Sequence, residues 1–144
     1  MTWSETTSLV ALIVSISSLG FSLYFNFRDR GQIHASSKFY PSSSYGPQSL
    51  TVTIVNTGRR PVILRMWGGA DSSGKWVGHF FNGDKSGLRL GEHERHDFVV
   101  EKNDAYSVTP VDEIFCEDLW VEDTLGRRIA IKDAKANLAR LWKS

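Results

Sequence analysis

Residues 9–27 read LVALIVSISSLGFSLYFNF, a run of 19 residues without a charge or a proline. At 1.5 Å per residue, a helix of this length spans about 28 Å, close to the thickness of the hydrocarbon core of a bilayer. Trp3 precedes the run, and Tyr24 and Phe25 lie near its end, where aromatic side chains favour the boundary between lipid and water. The run therefore predicts one transmembrane helix within an anchor segment, residues 1–30.

Such a run also occurs in two other settings: a cleaved secretory signal peptide and a buried helix of a soluble protein. A signal peptide has a basic segment before its apolar run, but residues 1–8 contain neither Lys nor Arg, and no Ala-x-Ala cleavage site follows promptly. A buried helix would be consistent with the serines, which lower the hydrophobicity of the run. An uncharged run of this length is unusual in a small β domain, however, so the anchor is preferred.

The charges that flank the run predict its orientation, because Lys and Arg near the end of a span stay on the cytoplasmic side. The only charged residue before the run is Glu5, whereas Arg28, Arg30 and Lys38 follow it. We therefore expect a single-pass protein of the cell membrane, with its N-terminus outside and its C-terminal domain in the cytoplasm.

Small side chains recur along this helix at alternating spacings of three and four residues. They form one stripe, which we call the small-residue stripe: Ser8, Ala11, Ser15, Ser18 and Ser22. Such a stripe lets two helices approach closely and offers hydroxyl groups for hydrogen bonds between them, which favours self-association or pairing with another membrane helix. Alternatively, each hydroxyl donates to the carbonyl one turn earlier and the helix remains a monomer.

After residue 30 the sequence changes to short alternating runs separated by turn residues. Strand-like runs lie at residues 33–40, 50–55, 62–67, 75–81, 88–90, 92–100, 114–121 and 127–132. The weakly patterned residues 102–110 are expected to hold a short helical turn. Seven or eight strands about ten residues apart, with no long helix between them, predict an antiparallel β-sandwich over residues 31–132.

Residues 133–144 predict a short amphipathic helix, because Ala134, Leu138 and Leu141 fall on one helical face. Packing of this face on the domain is one interpretation. Contact with the membrane surface is the other, since anionic lipids attract basic side chains and Trp favours the interface. The membrane contact would use Lys135, Arg140, Trp142 and Lys143.

Three short stretches of the domain carry a resemblance to a known group of proteins. They are residues 55–62 (VNTGRRPV), the Glu92 that follows Leu90 and Gly91, and residues 121–127 (VEDTLGR). This pattern of strands and turns resembles that of uncharacterised bacterial and phage-type single-pass membrane proteins. The resemblance covers most of the domain and implies a C-terminal immunoglobulin-like sandwich. It implies no activity, because the shared residues are turn residues and not catalytic ones.

Charge is distributed in bands along the chain, although the net charge is only +1. Residues 28–90 carry +6, residues 91–123 carry −9 and residues 124–144 carry +5, and Glu5 supplies the remaining −1. Pairing between oppositely charged strands is the simplest interpretation. Nucleic acid is not an expected partner, since the domain is near neutral overall and lacks a continuous basic stripe.

The sequence contains no motif that carries catalysis or holds a cofactor: no GxSxG, P-loop, GxGxxG, HExxH or cysteine pair. The single cysteine, Cys116, lies in an apolar run that predicts a small core side chain. In a strand, Glu94 and His96 would share one face, but two ligands do not make a metal site. We therefore expect no enzyme, no metal and no cofactor.

These features predict a non-enzymatic, membrane-anchored interaction module, or a small subunit of a membrane complex, whose domain docks a protein partner. The expected partner contacts are Arg59, Arg60, Glu92 and Glu94. The alternative is a small oligomeric, membrane-active or pore-forming protein that assembles through the small-residue stripe. The expected partners are thus the lipid bilayer and either another protein or a second copy of the helix.

Overall fold

The computed structural model describes residues 2–28, 30–43, 46–83, 86–108 and 113–143. The chain divides into two compact units, Met1–Arg30 and Gly31–Ser144. The first contains helix α1 (Trp3–Arg28), and the described part of the second contains ten strands and helix α2 (Ala134–Lys143). The chain is therefore mainly β, with an apolar N-terminal helix and a short C-terminal helix.

Helix α1 begins before the apolar run because Thr2 and Glu5 form a capping box. The Glu5 carboxylate accepts a hydrogen bond from the Thr2 main-chain nitrogen at 2.8 Å, and the Glu5 nitrogen donates to the Thr2 hydroxyl at 3.4 Å. The stretch Trp3–Asn26 is long and apolar enough to cross a membrane, and none of it is buried among the described residues.

The described strands form three sheets, and each ladder between these strands is antiparallel. Their bounds are β1 (Ile33–Tyr40), β2 (Ser49–Asn56), β3 (Val62–Ala70), β4 (Trp76–Phe80), β5 (Leu88–Leu90), β6 (Arg95–Val100), β7 (Tyr106–Val108), β8 (Glu113–Phe115), β9 (Asp118–Asp123) and β10 (Arg128–Ala130). One sheet has the order β1-β2-β6, and another has the order β10-β9-β3-β4 with β5 also paired to β3. β7 and β8 pair only with each other among the described strands.

The two larger sheets share one hydrophobic core with helix α2. In β2 every second residue is apolar, so Leu50, Val52 and Ile54 point to one face and are fully buried. Leu64 of β3 and Val121 of β9 join the same cluster from the other sheet. Burying a side chain of this kind contributes about 1.5–3 kcal/mol, so this alternation sets which face of each sheet turns inward.

Helix α2 packs on the domain through the face that its sequence predicts. Leu138 and Leu141 are fully buried in the shared core. The Asn137 amide donates to the carbonyl and the hydroxyl of Ser37, at 3.1 Å and 3.0 Å. The apolar side of α2 is thus covered by the domain itself.

The hairpin of β7 and β8 differs from the sequence prediction. Residues 102–105 form a hydrogen-bonded turn within the range 102–110 where a helical turn is expected, and the Asp104 and Ala105 nitrogens donate to the Glu101 carbonyl. Residues 106–108 differ from the expectation, because they form strand β7. Its Tyr106 ring packs at 4.7 Å on Phe115 of the paired strand. The single strand predicted at residues 114–121 is divided into β8 and β9. Between them the Cys116 nitrogen donates to the Ala105 carbonyl.

The polar strand that was predicted from residue 92 begins only at Arg95. Residues 91–94 form a turn in which His93 has a φ of 57° and the Gly91 nitrogen donates to the Glu94 carboxylate at 2.6 Å. Glu94 therefore lies outside β6. The prediction that Glu94 and His96 share one face of a strand is wrong for this reason.

Candidate partner-binding face

The outer face of the five-stranded sheet carries an aromatic and ionic cluster. Because side chains alternate along a strand, Val121 of β9 points into the core, and Trp120 and Glu122 point to the opposite face. Glu122 lies opposite Arg128 in the β10–β9 ladder, and Trp120 lies opposite Gly68 in the β3–β9 ladder. We call the following residues the outer-face cluster: Arg65, Trp76, Trp120, Glu122 and Arg128.

Gly68 makes room for the indole ring of Trp120, since a Cβ at Gly68 would lie only 2.7 Å and 2.9 Å from two carbons of that ring. The Arg128 guanidinium lies over the same ring, with its Cζ 4.1 Å from the ring centroid. The Trp76 ring packs against Trp120 with centroids 5.9 Å apart, at an angle of 64°. As a result Trp120 is only 8% exposed and supports Trp76, which is 48% exposed.

The Glu122 carboxylate joins two arginines. Its side chain is 6% exposed, and it accepts hydrogen bonds from Arg65 and, at 3.0 Å, from Nε of Arg128. The register of β3 shifts between Leu64 and Met66, so Arg65 occupies an irregular position that can re-aim its side chain. One carboxylate neutralises one of the two guanidinium groups, which leaves a net charge of +1. Here the acidic band of the sequence pairs with both basic bands, as the charge pattern predicts.

Two N–H donors within the cluster are buried without a hydrogen-bond acceptor among the described residues: Nε1 of Trp120 and Nε of Arg65. A buried donor without an acceptor costs about 1–3 kcal/mol, so native proteins keep few of them. Among the described residues the cluster therefore keeps two buried N–H groups unpaired, at a cost to stability.

The described residues offer neither a metal-ligand cluster nor an exposed thiol. No group of three or more His, Cys, Asp or Glu side chains in the described ranges is arranged to hold a metal ion. Cys116 is fully buried, and burial raises the pKa of its thiol to about 11, which keeps it protonated at neutral pH. This environment agrees with the small core side chain that the sequence predicts.

The structure brings together the two turns that were predicted to contact a partner. Asn56, which is fully buried, lies between them, and its amide nitrogen donates to the carbonyl oxygens of Arg60 at 2.8 Å and Gly91 at 2.9 Å. The predicted contact residues on these turns are all exposed: Arg59, Arg60, Glu92 and Glu94. Their contact with a partner remains a prediction.

The residues of α2 that were predicted to contact the membrane lie on its uncovered side, except for Trp142. Lys135, Arg140 and Lys143 are exposed. Nε1 of Trp142 donates to the Cys116 carbonyl at 2.9 Å, and its ring packs on Phe115 at 5.5 Å. Trp142 therefore has a packing role within the domain, and membrane contact by α2 remains a prediction.

The small-residue stripe is exposed along α1. The hydroxyl groups of Ser8 and Ser15 donate to the carbonyl oxygens of Ser4 at 2.9 Å and Ala11 at 2.8 Å, one turn earlier. These two hydrogen bonds are the ones expected if the helix remains a monomer. Association through the stripe remains a prediction.

The outer-face cluster is not predicted from the sequence. Residues 119–121 (LWV) are apolar throughout and indicate a strand that is buried on both faces. The available signal was the spacing of Trp120 and Glu122, since residues two apart in a strand share a face. The hydrogen bonds from Arg65 and Arg128 to Glu122 depend on the register of β9 with its two neighbouring strands, β3 and β10. No local sequence pattern indicates that register.

The fold defines the chain as a mainly β domain that follows an apolar N-terminal helix. No family model matches the chain, and no curated protein matches it. One similar solved structure is the X-ray structure of Northeast Structural Genomics Consortium target SoR45. It has 12% sequence identity and a TM-score of 0.30, over 72% of this chain and 82% of that one. Function is therefore inferred from the geometry of the outer-face cluster.

Proposed function

We propose that this chain is a membrane-anchored interaction module, in which α1 anchors the protein in the cell membrane and the β domain docks a protein partner. The observation that carries the proposal is the half-exposed Trp76 ring, supported by Trp120 and Arg128 on a sheet face. Trp and Arg are enriched among the residues that dominate protein interfaces. A ring already held by its neighbours also loses little conformational freedom on binding.

The proposed orientation has the N-terminus outside the cell and the domain in the cytoplasm. It is supported by the charges that flank α1, with Glu5 before the apolar run and Arg28, Arg30 and Lys38 after it. In this orientation the outer-face cluster is available to cytoplasmic proteins.

For the domain we propose an immunoglobulin-like sandwich. The order β1-β2-β6 corresponds to strands A-B-E of that fold, and the order β10-β9-β3-β4 corresponds to G-F-C-C′. The shared core between the two sheets also supports the proposal. In this correspondence the outer-face cluster lies on the G-F-C-C′ sheet.

Site-specific photo-crosslinking in native membranes tests the docking face. A photoreactive amino acid replaces Trp76, and the matched control replaces Tyr40, which is 44% exposed and lies in the other sheet. We expect one discrete adduct at position 76, identified by mass spectrometry, and none at position 40. Adding Arg128→Gln should reduce the adduct several-fold, because it removes the cation that lies over both Trp rings.

Equal adducts at both positions, or no adduct at position 76, would contradict docking through this face. A C-terminal reporter that is active only outside the cytoplasm is the topology control and should be inactive. The unfolding midpoint of Arg128→Gln, measured in urea, shows whether a lost adduct reflects lost contact or lost fold.

A further inference from the structure

We infer that the end of the domain that carries Gly31 contacts the headgroups of an anionic bilayer surface through the turns at residues 57–61 and 124–127. This inference rests on the proposed anchor. It gives the domain a lipid-facing surface in addition to the partner-binding face. It also assigns Arg59 and Arg60 to contact with lipid, whereas the sequence predicts contact with a protein partner.

The length of the connection after α1 selects this end of the domain. Only residues 29 and 30 lie between Arg28, the last residue of α1, and Gly31, the first residue of the second unit. Three Cα–Cα steps reach at most about 11 Å, whatever conformation the connection adopts. The last residue of an eight-residue strand such as β1 lies about 23 Å from the first. If α1 spans a bilayer, Gly31 must therefore lie near its surface.

The β2–β3 turn, residues 57–61, lies at the Gly31 end. The Thr57 nitrogen donates to the Gln32 carbonyl at 2.8 Å. A Cβ at Gly31 would lie only 3.2 Å from the Arg60 carbonyl oxygen, so this turn packs directly against the first residue of the domain. Arg59 and Arg60 are both exposed on it.

The β9–β10 turn, residues 124–127, lies at the same end, because the Thr124 nitrogen donates to the Ile63 carbonyl at 3.0 Å, one residue after the start of β3. Leu125 at its tip is 77% exposed, the highest value for a large apolar side chain in the described part of the domain. Arg127 beside it donates to the buried Asp123 carboxylate at 2.7 Å and is itself 65% exposed.

These side chains match the chemistry of an anionic interface. An exposed leucine inserts among the headgroups, and arginines bind lipid phosphates while their stems stay in apolar surroundings. Glu92 and Glu94 occupy a third turn at this end, joined to the β2–β3 turn through Asn56. Because anionic lipid repels them, the contact is confined to the two arginine-bearing turns.

Lipid quenching of a fluorophore on the full-length protein in vesicles tests the inference. The fluorophore is attached at Leu125→Cys and, as the matched control, at Ser72→Cys, an exposed residue in the turn between β3 and β4 at the opposite end. The buried Cys116 does not compete for the label. In phosphatidylcholine vesicles with phosphatidylglycerol and a spin-labelled lipid, we expect quenching several-fold stronger at position 125 than at position 72.

A second variant tests the charge requirement. Arg59→Gln combined with Arg60→Gln should weaken quenching at position 125 in the anionic vesicles and leave it unchanged in pure phosphatidylcholine. Equal quenching at positions 125 and 72, or an unchanged signal in the double variant, would overturn the inference. Resistance to carbonate extraction, measured on the same samples, reports the anchor. Retained protein without quenching at position 125 refutes this inference alone, whereas extracted protein refutes the proposed anchor as well.

Discussion

The two helices of this chain present their apolar side chains in different ways. α2 has 10 residues, and its Leu138 and Leu141 lie on one face that the domain covers completely. α1 has 26 residues, and Leu12, Ile16 and Leu19 are each more than half exposed. A soluble monomer rarely exposes a continuous apolar surface of this size. Helix α2 therefore completes the core of the domain, whereas the apolar surface of α1 is the one that the proposed anchor places in lipid.

Charge placed in α1 should produce the largest effect. Each arginine near the centre of a membrane helix costs about 2.5–3.5 kcal/mol, so Ile16→Arg with Leu19→Arg should cost about 5–7 kcal/mol of insertion free energy. We expect the double variant to leave the carbonate-resistant membrane fraction, as measured by immunoblotting. Ile16→Ala with Leu19→Ala is the control and should stay in the membrane. Full retention of the arginine variant would show that α1 does not depend on lipid.

Shortening a buried side chain of α2 should instead lower only the stability of the domain. Leu138→Ala removes a fully buried side chain and should lower the free energy of unfolding by about 2–5 kcal/mol, without changing membrane retention. Urea unfolding of the full chain in detergent, followed by tryptophan fluorescence, measures the effect. Lys135→Ala on the exposed side of the same helix should shift stability by less than about 0.5 kcal/mol. Equal midpoints for the two variants would mean that the apolar face of α2 does not stabilise the domain.

Much of the fold is predictable because its signals are local. The apolar run of α1, the alternation in β2 and the amphipathic pattern of α2 each identify an element without reference to the rest of the chain. β7 was missed because it is stabilised by pairing with β8 and by the contact between Tyr106 and Phe115, which its own residues do not reveal.

The outer-face cluster was not predictable for a related reason. Trp120 is buried by Gly68, Trp76 and Arg128, which are distant in sequence and meet it only through strand pairing and loop placement. Tertiary context of this kind overrides the propensity of a short apolar run. The charge bands predict pairing between oppositely charged strands, but they do not identify Glu122 as the acceptor that Arg65 and Arg128 share.

Acid should affect the domain that α2 completes more than it affects α1, and by less than the substitutions above. The domain contains Asp, Glu and His residues, whereas the apolar run of α1, residues 9–27, contains none of them. Burial opposes ionisation of Asp123, but hydrogen bonds from Arg127 and the Leu125 nitrogen outweigh it and hold the pKa of this carboxyl below its usual range. An unfolded Asp has a pKa of about 3.9, so as pH falls below about 4 the unfolded state takes up the proton first and stability declines.

Asp123→Asn should therefore show a smaller fall in the urea midpoint between about pH 6 and about pH 3 than the parent chain does. Part of the fall should remain, because hydrogen bonds from Arg95 and Thr53 also lower the pKa of Asp97. Retention of α1 in the membrane should not change over this range. The same fall of the urea midpoint in both chains would show that Asp123 does not make the stability of the domain depend on pH. Loss of membrane retention in acid would mean that titrating groups of the domain help to hold the chain at the membrane.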